Sequence, residues 1–163
     1  MSLATEGTIL VITPLSGVAG LTLTPWSGRD LTQTLDPITG AGTGGSALGT
    51  WLRESTNGEL LDLSYPWFRK LESTITCKDT QTPCLNDVWK GQLCVVDCII
   101  ERSYVTGLGS PDRPEVSGSS RTEGGFTFYR PQLTMRITDI KNSLTEYHAD
   151  YNWMISLREV APP

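Results

Sequence analysis

The C-terminal part of the chain alternates apolar and polar residues with a period of two, and that pattern limits what it can fold into. Leu133, Met135 and Ile137 are separated by Gln132, Thr134, Arg136 and Thr138. From Leu144 onward the odd positions Tyr147, Ala149, Tyr151, Trp153, Ile155 and Leu157 are mostly apolar, whereas Glu146, His148, Asp150, Asn152 and Ser156 are polar. Successive side chains of a strand point to opposite faces, so each segment is predicted to be a long strand with one buried and one wet face. The reversal between them is expected near Lys141-Asn142-Ser143, which makes the pair a hairpin. Such a scaffold builds surfaces, and nothing in it marks a catalytic centre.

Shorter strand-like runs precede it. They are Thr8 to Thr13 ending at Pro14, Leu21 to Thr24 stopped by Pro25, Leu31 to Leu35 stopped by Asp36-Pro37, and Ser73 to Cys77. Asn57-Gly58, between Trp51-Leu52-Arg53 and Glu59 to Leu63, signals a second hairpin, because both residues tolerate positive φ. Gln92 to Tyr104 is apolar on both faces and predicts one central strand covered on each side. The only helical candidate is Leu85 to Trp89. A chain of 163 residues is expected to form one domain, residues 1–163. The fold class read from this pattern is mainly β: a single antiparallel β-sandwich or barrel-like domain with little helix. Residues 39–49, with five glycines, and residues 106–125, rich in Gly, Ser and Pro, are unusually long for connections in a compact domain and read either as functional arms or as disordered segments.

Charge and cysteine usage narrow the partners. A net charge of −5 disfavours nucleic acid. Met1 to Glu6 carries no positive region and Ile9 to Ile12 is too short for a membrane span, so synthesis and folding in the cytoplasm, without membrane insertion, are expected. Cys77, Cys84, Cys94 and Cys98 lack C-x-x-C spacing, so no metal site is called for. Cys94 and Cys98 lie about 13 Å apart on an extended strand and cannot bond to each other. Pairing of the Ser73 strand with the Gln92 strand brings Cys77 opposite Cys94. That leaves a disulfide open beside the alternative of buried thiols packing as small hydrophobes.

Chemistry-bearing motifs are sparse. Gly40-Ala41-Gly42-Thr43-Gly44-Gly45 matches G-x-G-x-x-G in letters, but Pro37 precedes it and nothing after it sustains a helix, so it reads as a loop rather than a dinucleotide site. His148 is the only histidine and sits on a polar strand face beside Glu146 and Asp150, with no pocket implied. The chain reads as a non-enzyme without a cofactor. Two aromatic segments stand out. Tyr65-Pro66-Trp67-Phe68-Arg69-Lys70 is either a core plug or an aromatic and cationic anchor at a protein interface. Phe126-Thr127-Phe128-Tyr129-Arg130-Pro131 carries the same choice, and Pro131, which cannot donate a ladder hydrogen bond, marks an edge or a bulge. Tyr65, Trp67, Phe68, Arg69, Phe126, Phe128, Tyr129 and Arg130 are therefore the candidate contact residues.

Several of these stretches resemble virion structural proteins of tailed bacteriophages. They are Gly28-Arg29-Asp30-Leu31-Thr32-Gln33-Thr34-Leu35, Asn57-Gly58-Glu59-Leu60-Leu61-Asp62-Leu63-Ser64, Phe68-Arg69-Lys70, Phe126 to Pro131, and Trp153 to Val160. The resemblance implies a non-enzymatic building block of the virion, made in the host cytoplasm, whose partners are copies of itself and other virion proteins. A tail-tip, baseplate or tail-ring subunit closing into a homo-oligomeric ring is the leading expectation. The alternatives are a capsid decoration or head–tail joining protein, and a receptor- or glycan-binding β-sandwich using Trp67 or Trp26 to stack on sugars.

Overall fold

The computed structural model describes residues 11–14, 21–22, 30–38, 52–62, 69–79, 88–147 and 150–160. Among them there are strands and no helix, and no helix is long and apolar enough to cross a membrane. The two alternating segments form the centre of the sheet. β11 (Gln132–Thr145) pairs antiparallel with β12 (Asp150–Glu159), and β12 pairs with β6 (Leu71–Asp79), which pairs with β3 (Asp30–Pro37). On the other flank β11 pairs with β7 (Leu93–Asp97), then follow β1 (Val11–Pro14) and β2 (Leu21–Thr22). The result is a seven-stranded antiparallel sheet of order β2-β1-β7-β11-β12-β6-β3, curled into a half-barrel. The barrel-like, mainly β class follows from the period-two pattern.

One face of the curl is the core. Ile12, Ile75, Cys94, Val96, Leu133, Met135, Ile137, Ile155 and Leu157 are each at most 1% exposed. These residues are register partners across neighbouring strands, as with Ile75, Ile155 and Ile140, or Cys94 and Met135. The opposite face is threonine-rich: Thr32, Thr34, Thr76, Thr134 and Thr138 are all exposed, as half-solvated strands favour.

The hairpin reverses between Thr145 and Asp150, not at Lys141-Asn142-Ser143. The cause is a bulge. Ile137 opposes Leu157 and Asp139 opposes Ser156, so Thr138 is the extra residue. A bulge changes which parity faces inward. Odd residues up to Ile137 point to the core, and beyond the bulge the even ones do, with Ile140 opposite Ile155 and Asn142 opposite Trp153. The break in the odd-numbered pattern is a parity switch within one strand, not a turn. Deleting Thr138 is therefore expected to be tolerated, because Ile137 and Ile140 keep their faces. The loss is about 1–2 kcal/mol, the scale of the hydrogen bond from Thr138 Oγ1 to Ser156 O. A urea melt showing non-cooperative unfolding of that deletion variant would overturn the assignment.

The expected single strand over Gln92 to Tyr104 is broken. β7 stops at Asp97, where Cys98 N donates to Pro131 O (3.1 Å) and Ile99 N donates to Gln33 Oε1 (2.8 Å). Gln33 is 7% exposed, lies on the far edge strand β3, and also donates from Nε2 to Ser73 Oγ (3.0 Å). Its amide thus ties the β3 edge to the chain just past β7 and draws the curled sheet together.

Residues 98–131 leave the large sheet and return beside the point of departure, since Gln132 is the register partner of Asp97. They build a second sheet of order β8-β10-β9, from β8 (Arg102–Val105), β9 (Arg121–Glu123) and β10 (Phe126–Tyr129). β10 is its middle strand, not an edge. The 106–125 segment, expected as an arm or a disordered segment, contains β9 and lies against its own chain. The Asn57-Gly58 hairpin forms as expected, with β4 (Leu52–Glu54) and β5 (Leu60–Asp62) paired and Gly58 at φ +78°. Residues 39–49 and the helical candidate up to residue 87 lie outside the described residues; Val88 and Trp89 are not helical.

Candidate interaction surface

The small sheet has two unlike faces, and alternation decides which residue goes where. Thr127 and Tyr129 point inward and are 8% and 2% exposed. Phe126 and Phe128 point outward, where the register sets Phe126 opposite Val105 and Phe128 opposite both Ser103 and Arg121. Phe126 is 47% exposed, Val105 44%, and Leu108, in the turn that follows β8, 90%. The Arg121 guanidinium lies over the Phe128 ring at 4.7 Å and is held by Glu101 (2.8 Å) and Glu123 (2.7 Å). Arg121 holds the Glu101 carboxyl below the usual carboxylate range. An apolar centre of Val105, Phe126 and Phe128 is thus rimmed by charges of both signs, the anatomy of a protein contact patch.

This platform is firmly mounted. The Tyr129 hydroxyl donates to Asp112 Oδ1 (2.6 Å), Asp112 pairs with Arg102 (3.1 Å), and the Tyr129 and Tyr104 rings lie 5.9 Å apart. The key tie is an ion pair under residues 109–118. Arg113 Nε donates to Glu159 Oε1 (2.7 Å) and Nη2 to Glu159 Oε2 (3.2 Å) and Arg69 O (2.7 Å). The Arg113 and Glu159 side chains are 11% and 1% exposed. Leu71 N also donates to Glu159 Oε2, and Lys70 Nζ reaches Val160 O, both at 2.8 Å.

Of the eight predicted contact residues, Phe126 and Phe128 share the outer face. Tyr129 is a buried strut, and Arg130 donates from its backbone to Ser119 and from its side chain to Cys98 O. Arg69 contributes its carbonyl to the Arg113 clasp. Tyr65, Trp67 and Phe68, like Trp26, His148, Cys84 and the Gly40–Gly45 motif, lie outside the described residues. Sequence reasoning missed Val105 and Leu108, and it missed Arg113 and Glu159. The first pair carried no signal of its own: Val105 follows Tyr104 directly without alternation, and Leu108 sits among turn residues.

No disulfide joins Cys77 to Cys94. β12 and β11 stand between their strands, and Cys94 is a free thiol that donates to Met135 O at 3.5 Å. Burial pushes the Cys94 thiol up to about 12 and the Cys98 thiol to about 11, from an ordinary 9.0. Burial and the hydrogen bond to Asp112 push Tyr129 up to about 12 from 10.0. All three groups keep their protons in the folded chain at pH values where the unfolded chain loses them. Their contribution is therefore complete below about pH 9 and is lost as pH climbs toward the folded values. Urea midpoints are expected to fall steadily between about pH 9 and about pH 10.5, with a shallower slope in Cys94→Ala. A flat profile over that range contradicts the burial of these groups.

A second candidate is an open groove of about 780 Å³ across the threonine-rich face. The register rows Thr32–Thr76–Met154–Lys141 and Lys78–Asn152–Ser143 line it. Lys78 is paired with Asp150 (2.9 Å) and Lys141 with Asp139 (3.5 Å). Asp139 is shared with Lys90 (2.5 Å), and the hydroxyls, amides and ammonium groups of these rows place no nucleophile beside a base. Cys77, Ile140, Asn142 and Trp153 also line the groove, and Trp153 Nε1 is buried without a hydrogen-bond partner. Among the described residues no three His, Cys, Asp or Glu side chains converge as metal ligands. Comparison of the chain with family models, curated proteins and solved structures gave no match.

Proposed function

We propose that the chain is a non-enzymatic structural subunit that assembles through the outer face of its β8-β10-β9 sheet, and that its setting is the virion of a tailed bacteriophage, at the tail tip, baseplate or tail ring. The assembly reading is carried by one observation. Val105 and Phe126 stay in water on a sheet whose inner face is anchored by Tyr129, Asp112 and Arg113. Clustered apolar side chains on an anchored platform gain free energy by being covered, and a second subunit covers them. The phage setting rests on the resemblance of the segments from Gly28 to Leu35, Asn57 to Ser64 and Phe126 to Pro131.

Light scattering on the purified full chain tests the first part: a discrete oligomer is expected. In Phe126→Glu, association is expected to weaken by about tenfold or more with circular dichroism unchanged, because Phe126 is already half exposed. A wild-type chain that stays monomeric at high concentration removes the assembly reading. Copy number in isolated particles tests the second part: few copies fit the tail, many fit the capsid surface, and none removes the virion setting.

A further inference from the structure

Residues 107–118 form a closed loop lying across the start of β11, and they differ from everything around them. None is buried; Arg113 and Val116 are half-buried and the rest are exposed. They nevertheless satisfy groups that would otherwise be left open. Gln132 N donates to Pro114 O (2.8 Å), Val116 N donates to Arg130 O (2.9 Å), and Glu115 bridges to Pro131. The segment thus lies along the backbone edge at Arg130 to Gln132 like a short added strand. Its deepest attachment is Arg113 in the Glu159 carboxylate, and Asp112 adds a second by accepting from the buried Tyr129 hydroxyl. Gly107 (φ +83°) and Gly118 (φ +75°) stand at its two ends, in backbone conformations that other residues adopt only with strain.

We propose that residues 107–118 are a detachable strap, latched by Arg113 on Glu159, which opens as one unit and uncovers the strand edge at Arg130 to Gln132. Opening forfeits the Arg113–Glu159 pair, the bond from the Tyr129 hydroxyl to Asp112, the Arg102–Asp112 pair and a few backbone hydrogen bonds, but no apolar core packing, so it lies below global unfolding. The released edge presents the Gln132 N–H and the Arg130 C=O, the groups to which an extended segment of another chain adds. The strap stands or falls independently of whether the chain assembles.

Native-state hydrogen exchange followed by NMR on the full chain tests it. The amides of Val116 and Gln132 are bonded across the strap boundary to Arg130 O and Pro114 O. They are expected to share one opening free energy, well below that of amides in the middle of β12. Arg113→Lys keeps the charge and loses the forked contact. It is expected to speed exchange at those two amides by about tenfold or more and leave β12 unchanged. If the two amides exchange only with global unfolding, or respond to Arg113→Lys separately, the strap is not a unit and the proposal is wrong. Should Arg113→Lys fail to fold, the wild-type exchange pattern alone decides between these outcomes.

Discussion

Arg113→Ala is expected to lower the stability of the chain by about 3 kcal/mol, the lower end of the range for breaking a buried ion pair. Glu159 is the reason. Its side chain is 1% exposed, and without Arg113 its charge is held only by the Leu71 amide. The loss stays near the lower end because the strap can swing away and admit water, which relieves the stranded carboxylate. In a chain of 163 residues that corresponds to a melting temperature lower by roughly 10 °C. The partner variants separate the stranded charge from lost packing. Glu159→Gln removes the charge, keeps the shape, and leaves Arg113 bonded to Arg69 O, so its expected loss is about 1–2 kcal/mol. The double variant Arg113→Ala/Glu159→Gln is expected to be more stable than Arg113→Ala alone. If the double variant is instead the less stable of the two, the clasp acts by packing and not by charge.

Strand content, the central hairpin, the Asn57-Gly58 turn and the sidedness of the long strands were legible because each is a local property of backbone period or turn chemistry. The hairpin turn was misplaced where two signals compete. Ile137 and Ile140 are three residues apart, which reads equally as the end of one strand or as a bulge within it. The break after Asp97 was not legible at all: the groups that hold it open are the Gln33 amide and the Pro131 carbonyl, far away in sequence. Arg113 and Glu159 are invisible for the same reason, since nothing in a Gly- and Pro-rich stretch marks one arginine for burial against a strand end. The aromatic segment Phe126 to Pro131 was found but not sorted. The period-two rule already places Phe126 and Phe128 opposite Thr127 and Tyr129, and the structure puts the first pair outside and the second inside.

The second large expected effect tests the core. Gln33, Ile75, Ile155 and Ile140 form one register row across β3, β6, β12 and β11. Ile75 and Ile155 are fully buried, whereas Ile140, just past the bulge, is half-buried. Ile155→Ala leaves a void lined on both sides by strand neighbours that cannot collapse without breaking the ladder. A loss of about 3–4 kcal/mol is expected. Ile140→Ala deletes the same atoms from a site that water already reaches, and about 1 kcal/mol is expected, the scale of a partly exposed side chain. Both positions have the same strand preference, so propensity alone predicts equal losses. Urea unfolding of the two variants therefore discriminates: a wide gap supports a core centred on Ile75 and Ile155, and equal losses mean that Ile140 is as enclosed as Ile155 and that the core does not thin past the bulge at Thr138. The gap also bears on the contact surface, since the platform of β8, β9 and β10 is anchored to the end of β12 through Glu159. A variant that loosens β12 is expected to weaken assembly in proportion to its loss of stability. Phe126→Glu, which leaves β12 alone, weakens assembly with the melting temperature intact, and that difference in behaviour separates damage to the scaffold from damage to the surface it presents.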